Sequence, residues 1–233
     1  MTQAVEHRHP FPVCSGRMFL GHFAVALAAK RAAPEISLGT LFLAAQLADL
    51  IWPNLFLLGI ERFEVRPGIT AVTPLDFIHY PYSHSLLALA GWGFVLGAVH
   101  FARRRSLRAA SVLLAVVLSH WLLDVASHRP DMPLTLTGPE RLGLGLWNST
   151  AATLAVEAAL LAAGVAVYAR LTRPLDRVGR WALIGLVAFL VVIYLATLFG
   201  PPPGAAAEVA WSAQAMWLLV AWGYWIDRHR AGR

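Results

Sequence analysis

The stretch "SLRAASVLLAVVLSHWLLDVASHRPD", residues 106–131, decides how the rest of the chain is read. Its first 22 residues, 106–127, are long and apolar enough to cross the hydrocarbon of a bilayer as a helix, which takes ~20 residues. Yet the stretch closes on His120, Asp124, His128 and Asp131. A charged side chain inside a span costs at least ~2.5–3.5 kcal/mol on insertion scales, so it needs a partner or a wet cavity. His120 and Asp124 stand four residues apart, hence on one helix face and about 6 Å apart along the axis. That spacing suits two ligands of one ion, or a carboxylate orienting an imidazole.

The surrounding composition agrees with a membrane protein. Of 233 residues, 58% are hydrophobic and 14% charged, and the mean hydropathy is +0.60. This indicates an all-α, polytopic bundle built as a single domain over residues 1–233. Six segments have spanning length, about 37–60, 83–102, 106–127, 147–171, 178–200 and 205–226, and a seventh, about 17–30, is short or half-inserted. The expected count is therefore about seven transmembrane helices. The net charge of +6 is spread over short clusters rather than a continuous basic face, which argues against nucleic-acid binding. The single cysteine, Cys14, excludes an intrachain disulfide and a cysteine-rich metal site. The N-terminus lacks the early apolar core of a signal peptide, so targeting is expected to rest on the spans themselves.

The basic clusters are "KR" at 30–31, "RRRSLR" at 103–108, "RLTRPLDRVGR" at 170–180 and "DRHRAGR" at 227–233. With seven helices all four fall on one side, which the positive-inside rule makes cytoplasmic together with the C-terminus. Connections 61–82, 128–146 and 201–204 then face outward. His22, Asp49, His79, His84, His120, Asp124, His128 and Asn148 all come to the outward half, and Glu157 lies nine residues into its helix, roughly 13 Å. The topology was set by Lys and Arg alone, so this gathering is an independent sign of one polar site. Neutral imidazoles with carboxylates suit zinc or another first-row divalent ion. Singly, each residue has a plainer reading. An isolated intramembrane His is commonly an interhelical hydrogen bonder, His100 beside Arg103 reads as interfacial, and Asp49 or Glu157 could pair with arginines of the outer loops. His7, His9 and His229 read as solvated.

Four elements in order resemble the bacterial inner-membrane metal-dependent hydrolases known as the LexA-regulated membrane-bound group. "GHFAVALAAK" is similar to that family's Gly-His helix and points to His22. "LADLIWP" is similar to its Asp stretch ending in Pro and points to Asp49. "HYPYSHSLL" resembles its His-x4-His-Ser element and points to His79, His84 and Ser85, and "LSHWLLD" resembles its Ser-His-x3-Asp element and points to His120 and Asp124. Ile51 and Trp52 stand where the family carries a second Asp and a His. The resemblance covers about residues 18–131 and implies metal-dependent hydrolysis.

The expectation is thus a membrane-embedded hydrolase with one divalent ion, zinc by preference, held by a subset of His22, Asp49, His79, His84, His120 and Asp124. Asp49 or Glu157 would act as general base, and His128 and Asn148 would form a rim or supply an extra ligand. A site just under the outer surface suits an amphiphilic lipid or phosphoester substrate. The alternative is a transporter or proton-coupled permease using the buried His, Asp and Glu residues, and it requires polar groups reaching the cytoplasmic half. Bis-histidine haem binding and a non-catalytic scaffold rank below these.

Overall fold

A computed structural model describes residues 19–233; His7, His9 and Cys14 lie outside the described residues. The chain begins with α1 (Phe19–Ala29), α2 (Leu38–Ala45) and α3 (Leu47–Leu57). A hairpin of β1 (Arg62–Val65) and β2 (Leu75–His79) leads to the short α4 (Pro81–His84) and the long α5 (Leu86–Arg104) and α6 (Leu107–Ser127). A small hairpin of β3 (Met132–Pro133) and β4 (Arg141–Leu142) and a 3-10 turn, Leu146–Asn148, precede α7 (Thr150–Leu171). Then come β5 (Thr172–Pro174), α8 (Arg177–Phe199), α9 (Ala206–Ala213), α10 (Met216–Arg228) and β6 (Arg230–Gly232), which pairs with β5.

The helices start where the sequence offers an acceptor for an orphan N–H. Ser37, Ser85, Ser106, Ser149 and Asp176 each accept a bond from the backbone N–H three residues on, opening α2, α5, α6, α7 and α8. Such caps contribute ~1 kcal/mol each. The helices pack through small residues, which let backbones approach closely. A Cβ on Gly164 of α7 would lie 2.4 Å from the carbonyl oxygen of Ala24 on α1, so α1 rests directly on α7 there. Outward, Phe94, Trp181, Val192, Phe199, Trp211 and Leu218 leave an apolar exterior of a kind soluble monomers rarely carry.

Among the described residues four helices, α5, α6, α7 and α8, are long and apolar enough to cross a membrane, and α2 with α3 makes a fifth if that bent pair is one span. The continuous helix expected over 37–60 is broken: its two halves meet at 53°. Gln46 leaves helical geometry (φ −104°, ψ 12°), and Pro53 has no N–H to offer the Asp49 carbonyl. The stretch 205–226 is likewise divided, between α9 and α10. Helix α1 has 11 residues, about 16 Å at 1.5 Å per residue, against ~30 Å of hydrocarbon.

The four basic clusters do meet at one end. The Lys30 ammonium is 3.0 Å from Asp227 Oδ2, Ser106 Oγ donates to Glu35 Oε1 (3.4 Å), and β5 pairs with β6 across residues 172–174 and 230–232. At the other end Arg129 pairs with Asp131 (2.9 Å) and with Asp76, and Arg66 pairs with Asp76 (2.5 Å), tying the β1–β2 hairpin to the loop after α6. Between the ends lies the main apolar core, with Phe23, Leu27, Leu41, Phe42, Leu113 and Val117 fully buried.

Candidate metal centre

Four helices deliver polar side chains to one buried point at the end away from the basic clusters. The i,i+4 pair on α6 is its axis: His120 Nε2 is 3.0 Å from Asp124 Oδ2. From α1, His22 places Nε2 3.2 Å from Asp124 Oδ1 and stacks its ring on His120, centroids 3.9 Å apart. From α4, His84 sets Nε2 3.6 Å from Asp49 Oδ1 and 3.9 Å from Asp124 Oδ2. Asp49, on α3, also accepts from Trp52 Nε1–H (3.1 Å). His22, His84, His120 and Asp124 are at most 4% exposed. Asp49, with 14% of its side chain exposed, is the most open member.

Two overlapping groups of donor atoms lie within 4.8 Å of one another: His22, Asp49 and His120, and His84, His120 and Asp124. Zinc binds N and O ligands at about 2.0–2.2 Å, so the edge between two ligands of a tetrahedron is about 3.3–3.6 Å. The separations of 3.0, 3.2, 3.6 and 3.9 Å bracket that edge. Other features point the same way. His120 holds its Nδ1 2.8 Å from the Ala45 carbonyl oxygen, which can only accept, so Nδ1 carries the proton. When the ring is neutral its Nε2 lone pair faces Asp124; that buried nitrogen makes no hydrogen bond, and neither does His22 Nδ1. Among the described residues no Lys or Arg forms an ion pair with Asp49 or Asp124. Two carboxylates facing imidazole nitrogens in a buried site make a donor set that could hold a divalent cation.

The other candidates are placed differently. His79 ends β2 opposite Arg62, with its ring 6.0 Å from Tyr82, and belongs to neither donor group. His128 caps the C-terminus of α6, and its Nδ1 is 2.8 Å from Asp131 Oδ1. Its ring packs on Trp147 and Tyr80. The Tyr80 hydroxyl donates to the same Asp131 oxygen (3.2 Å). Burial, with the Asp131 carboxylate adding to it, pushes the Tyr80 phenol well above its ordinary range, so it stays a neutral donor. Asn148 is exposed in the 3-10 turn. Glu157 is fully buried and takes the Gly21 N–H on Oε2 (2.7 Å). It thereby serves the first turn of α1, where a carboxylate satisfies an orphan donor and the helix dipole. Sequence reading missed Trp52 as the donor to Asp49, although the i,i+3 spacing of the two was a usable signal.

No family model, curated protein or solved structure matches the chain.

Proposed function

We propose that the protein is an integral membrane metallohydrolase, and the observation that carries this reading is the convergence of His22, Asp49, His84, His120 and Asp124 at one point, with no Lys or Arg among the described residues paired to either carboxylate. His84 and His120 would hold one divalent ion through Nε2, with Asp124 as the carboxylate ligand and His22 beside it. Zinc suits two or three nitrogens with a carboxylate. Such an ion supplies Lewis-acid polarisation of the scissile group and an activated water. Asp49 is assigned as the general base, because it is the most exposed member of the cluster and Trp52 Nε1–H fixes its orientation. Glu157 is assigned to α1 instead, since its Oε2 is already engaged by Gly21.

The chain would cross the bacterial inner membrane seven times, α1 and the α9–α10 pair being the short members. The basic end and the C-terminus would be cytoplasmic by the positive-inside rule. The site then sits under the outer surface. Leu58, Ile60, Ile78 and Tyr82 are exposed at that end, which suits an amphiphilic substrate such as a lipid phosphoester with its tail in the bilayer. The resemblance to the membrane-bound hydrolases supports the same chemistry.

The permease alternative needs polar groups through the thickness of the bundle. Phe23, Leu27, Leu41, Phe42, Leu113 and Val117 are fully buried in the apolar core, and such packing opposes ion or proton passage. The test is turnover of phospholipids and lipid phosphates in mixed micelles. Expected is hydrolysis that a chelator stops and zinc restores, and that Asp49→Asn lowers by at least ~100-fold. Zinc-loaded wild type without turnover, together with solute uptake by proteoliposomes, would replace this reading with the permease.

A further inference from the structure

Glu61 lies in the connection from α3 to β1, outside every motif that marks the cluster, yet it is 2% exposed. Among the described residues it forms no ion pair with Lys, Arg or His; a buried carboxylate so placed must be held by hydrogen bonds. Its Oε1 accepts the backbone N–H groups of Tyr82 (2.9 Å) and Ser83 (2.8 Å). Its Oε2 is 2.6 Å from Ser83 Oγ. That same Oγ is 2.7 Å from Nδ1 of His84, a member of the cluster.

The protons in this chain can be counted. A hydroxyl has one proton, and an O···O contact of 2.6 Å with a carboxylate is the length of an O–H···O⁻ bond. The competing acceptor, the Tyr80 carbonyl, is 3.4 Å away. Ser83 therefore donates to Glu61 and turns a lone pair to His84. At 2.7 Å the facing Nδ1 must supply the proton. In the neutral ring Nε2 is then the free lone pair, directed at Asp49 Oδ1 and Asp124 Oδ2. Three acceptors facing one another call for a cation among them.

We propose that Glu61 and Ser83 are positioning residues that lock His84 in its Nδ1–H tautomer and so present Nε2 as a ligand between Asp49 and Asp124. The inference rests on the metal-centre reading for the word ligand, but the tautomer stands by itself. His120 reaches the same tautomer by a separate route, through Ala45, so loss of the relay would act on His84 alone. The relay also gives a sharp expectation for an isosteric change. In Glu61→Gln the amide oxygen must keep the two backbone N–H donors, because an NH2 group there would face them. The NH2 then lies at Ser83 Oγ and donates to it, the serine proton swings to His84 Nδ1, and the ring proton moves to Nε2.

The experiment is two-bond 15N–1H correlation on full-length, metal-free protein labelled with 15N-histidine. It is run at about pH 8, ~1.5 units above the ordinary histidine value, and the His84 signal is identified by its absence from His84→Gln. Wild type is expected to show His84 as the Nδ1–H tautomer, and Glu61→Gln the Nε2–H tautomer. Zinc titration of the same samples should then give affinity lowered ~10–100-fold in Glu61→Gln and Ser83→Ala, with Ser83→Thr retaining wild-type tautomer and affinity. A wild-type His84 found as Nε2–H or as imidazolium overturns the proposal, whether or not the variants fold. So does Glu61→Gln with unchanged tautomer. If the tautomers behave as expected but no sample binds zinc, the positioning relay is supported and the metal reading fails. If wild type binds zinc while Glu61→Gln binds it equally well, the relay fails and the metal reading is untouched.

Discussion

Gly164→Ala tests whether the packing of α1 on α7 sets the geometry of the cluster. The added Cβ would sit 2.4 Å from the Ala24 carbonyl oxygen, 2.7 Å from its Cα and 2.9 Å from its carbonyl carbon. All three atoms are backbone, so no side chain can rotate out of the way. Restoring an ordinary contact of about 3.4 Å means moving α1 by about 1 Å, in a core that resists overpacking at ~1–3 kcal/mol. A chain of this length loses ~2–4 °C of unfolding midpoint per kcal/mol, so the midpoint in detergent should fall by ~2–12 °C. His22 is two residues from Ala24 and rides on the same helix, so its 3.2 Å approach to Asp124 should be lost too. Zinc affinity is expected to drop alongside stability. Gly91→Ala is the control: nothing lies within 4 Å of its added Cβ, and replacing a helical Gly by Ala should raise stability by up to ~1 kcal/mol. Thermal unfolding and zinc competition titration read both effects. A Gly164→Ala protein with wild-type midpoint and wild-type zinc affinity would refute the claim that α1 is seated on α7 at this point.

Two further changes probe the site and the opposite end. Trp52→Phe removes the donor to Asp49 but keeps a ring against Phe63, now 5.1 Å away edge to face; zinc affinity measured by competition should fall ~10-fold, and no change would mean that Asp49 does not need this bond. Asp227→Ala strips acceptors from Lys30, Leu38 N–H and Tyr168 Oη. The Lys30–Asp227 side chains are only 11% and 16% exposed, and breaking such a buried pair costs ~3–5 kcal/mol; Lys30→Met with Asp227→Leu should recover the part of that loss due to the unpaired ammonium, while Leu38 N–H and Tyr168 Oη still lack their acceptor, and equal instability of single and double variants in thermal unfolding would count against the pair.

The His120–Asp124 pair, the gathering of His22, Asp49 and His84, and the meeting of the basic clusters at one end were legible in the sequence. Each depends on helical period or charge asymmetry, which survive without knowledge of contacts. The break between α2 and α3 was harder to see, because the chain is apolar on both sides of the bend. Its only local marks are Gln46, polar in an apolar run, and Pro53. The β1–β2 hairpin was read as loop, although Arg62, Phe63 and Glu64 alternate exposed and buried as a strand requires. Glu61 was invisible for another reason: its role depends on a turn 22 residues away, and nothing in spacing links a loop carboxylate to Ser83. Glu157 was legible as a buried carboxylate, but the bond from Gly21 N–H to its Oε2 comes from the backbone of another helix and leaves no mark in its own helix. His79 shares the "HYPYSH" segment with His84, but it sits on the strand and His84 on the helical turn, and only the turn faces the cluster.

The central claim is that His84 and His120 hold a divalent ion with Asp124. Element-resolved mass spectrometry of protein purified without chelator tests it directly, comparing wild type with His120→Ala and His84→Ala variants that keep their unfolding transition. The expected result is about one divalent ion per wild-type chain, zinc by preference, and loss of most of it in both variants. Wild-type protein that emerges metal-free and does not take up zinc, or His120→Ala protein that retains a full complement, would contradict it.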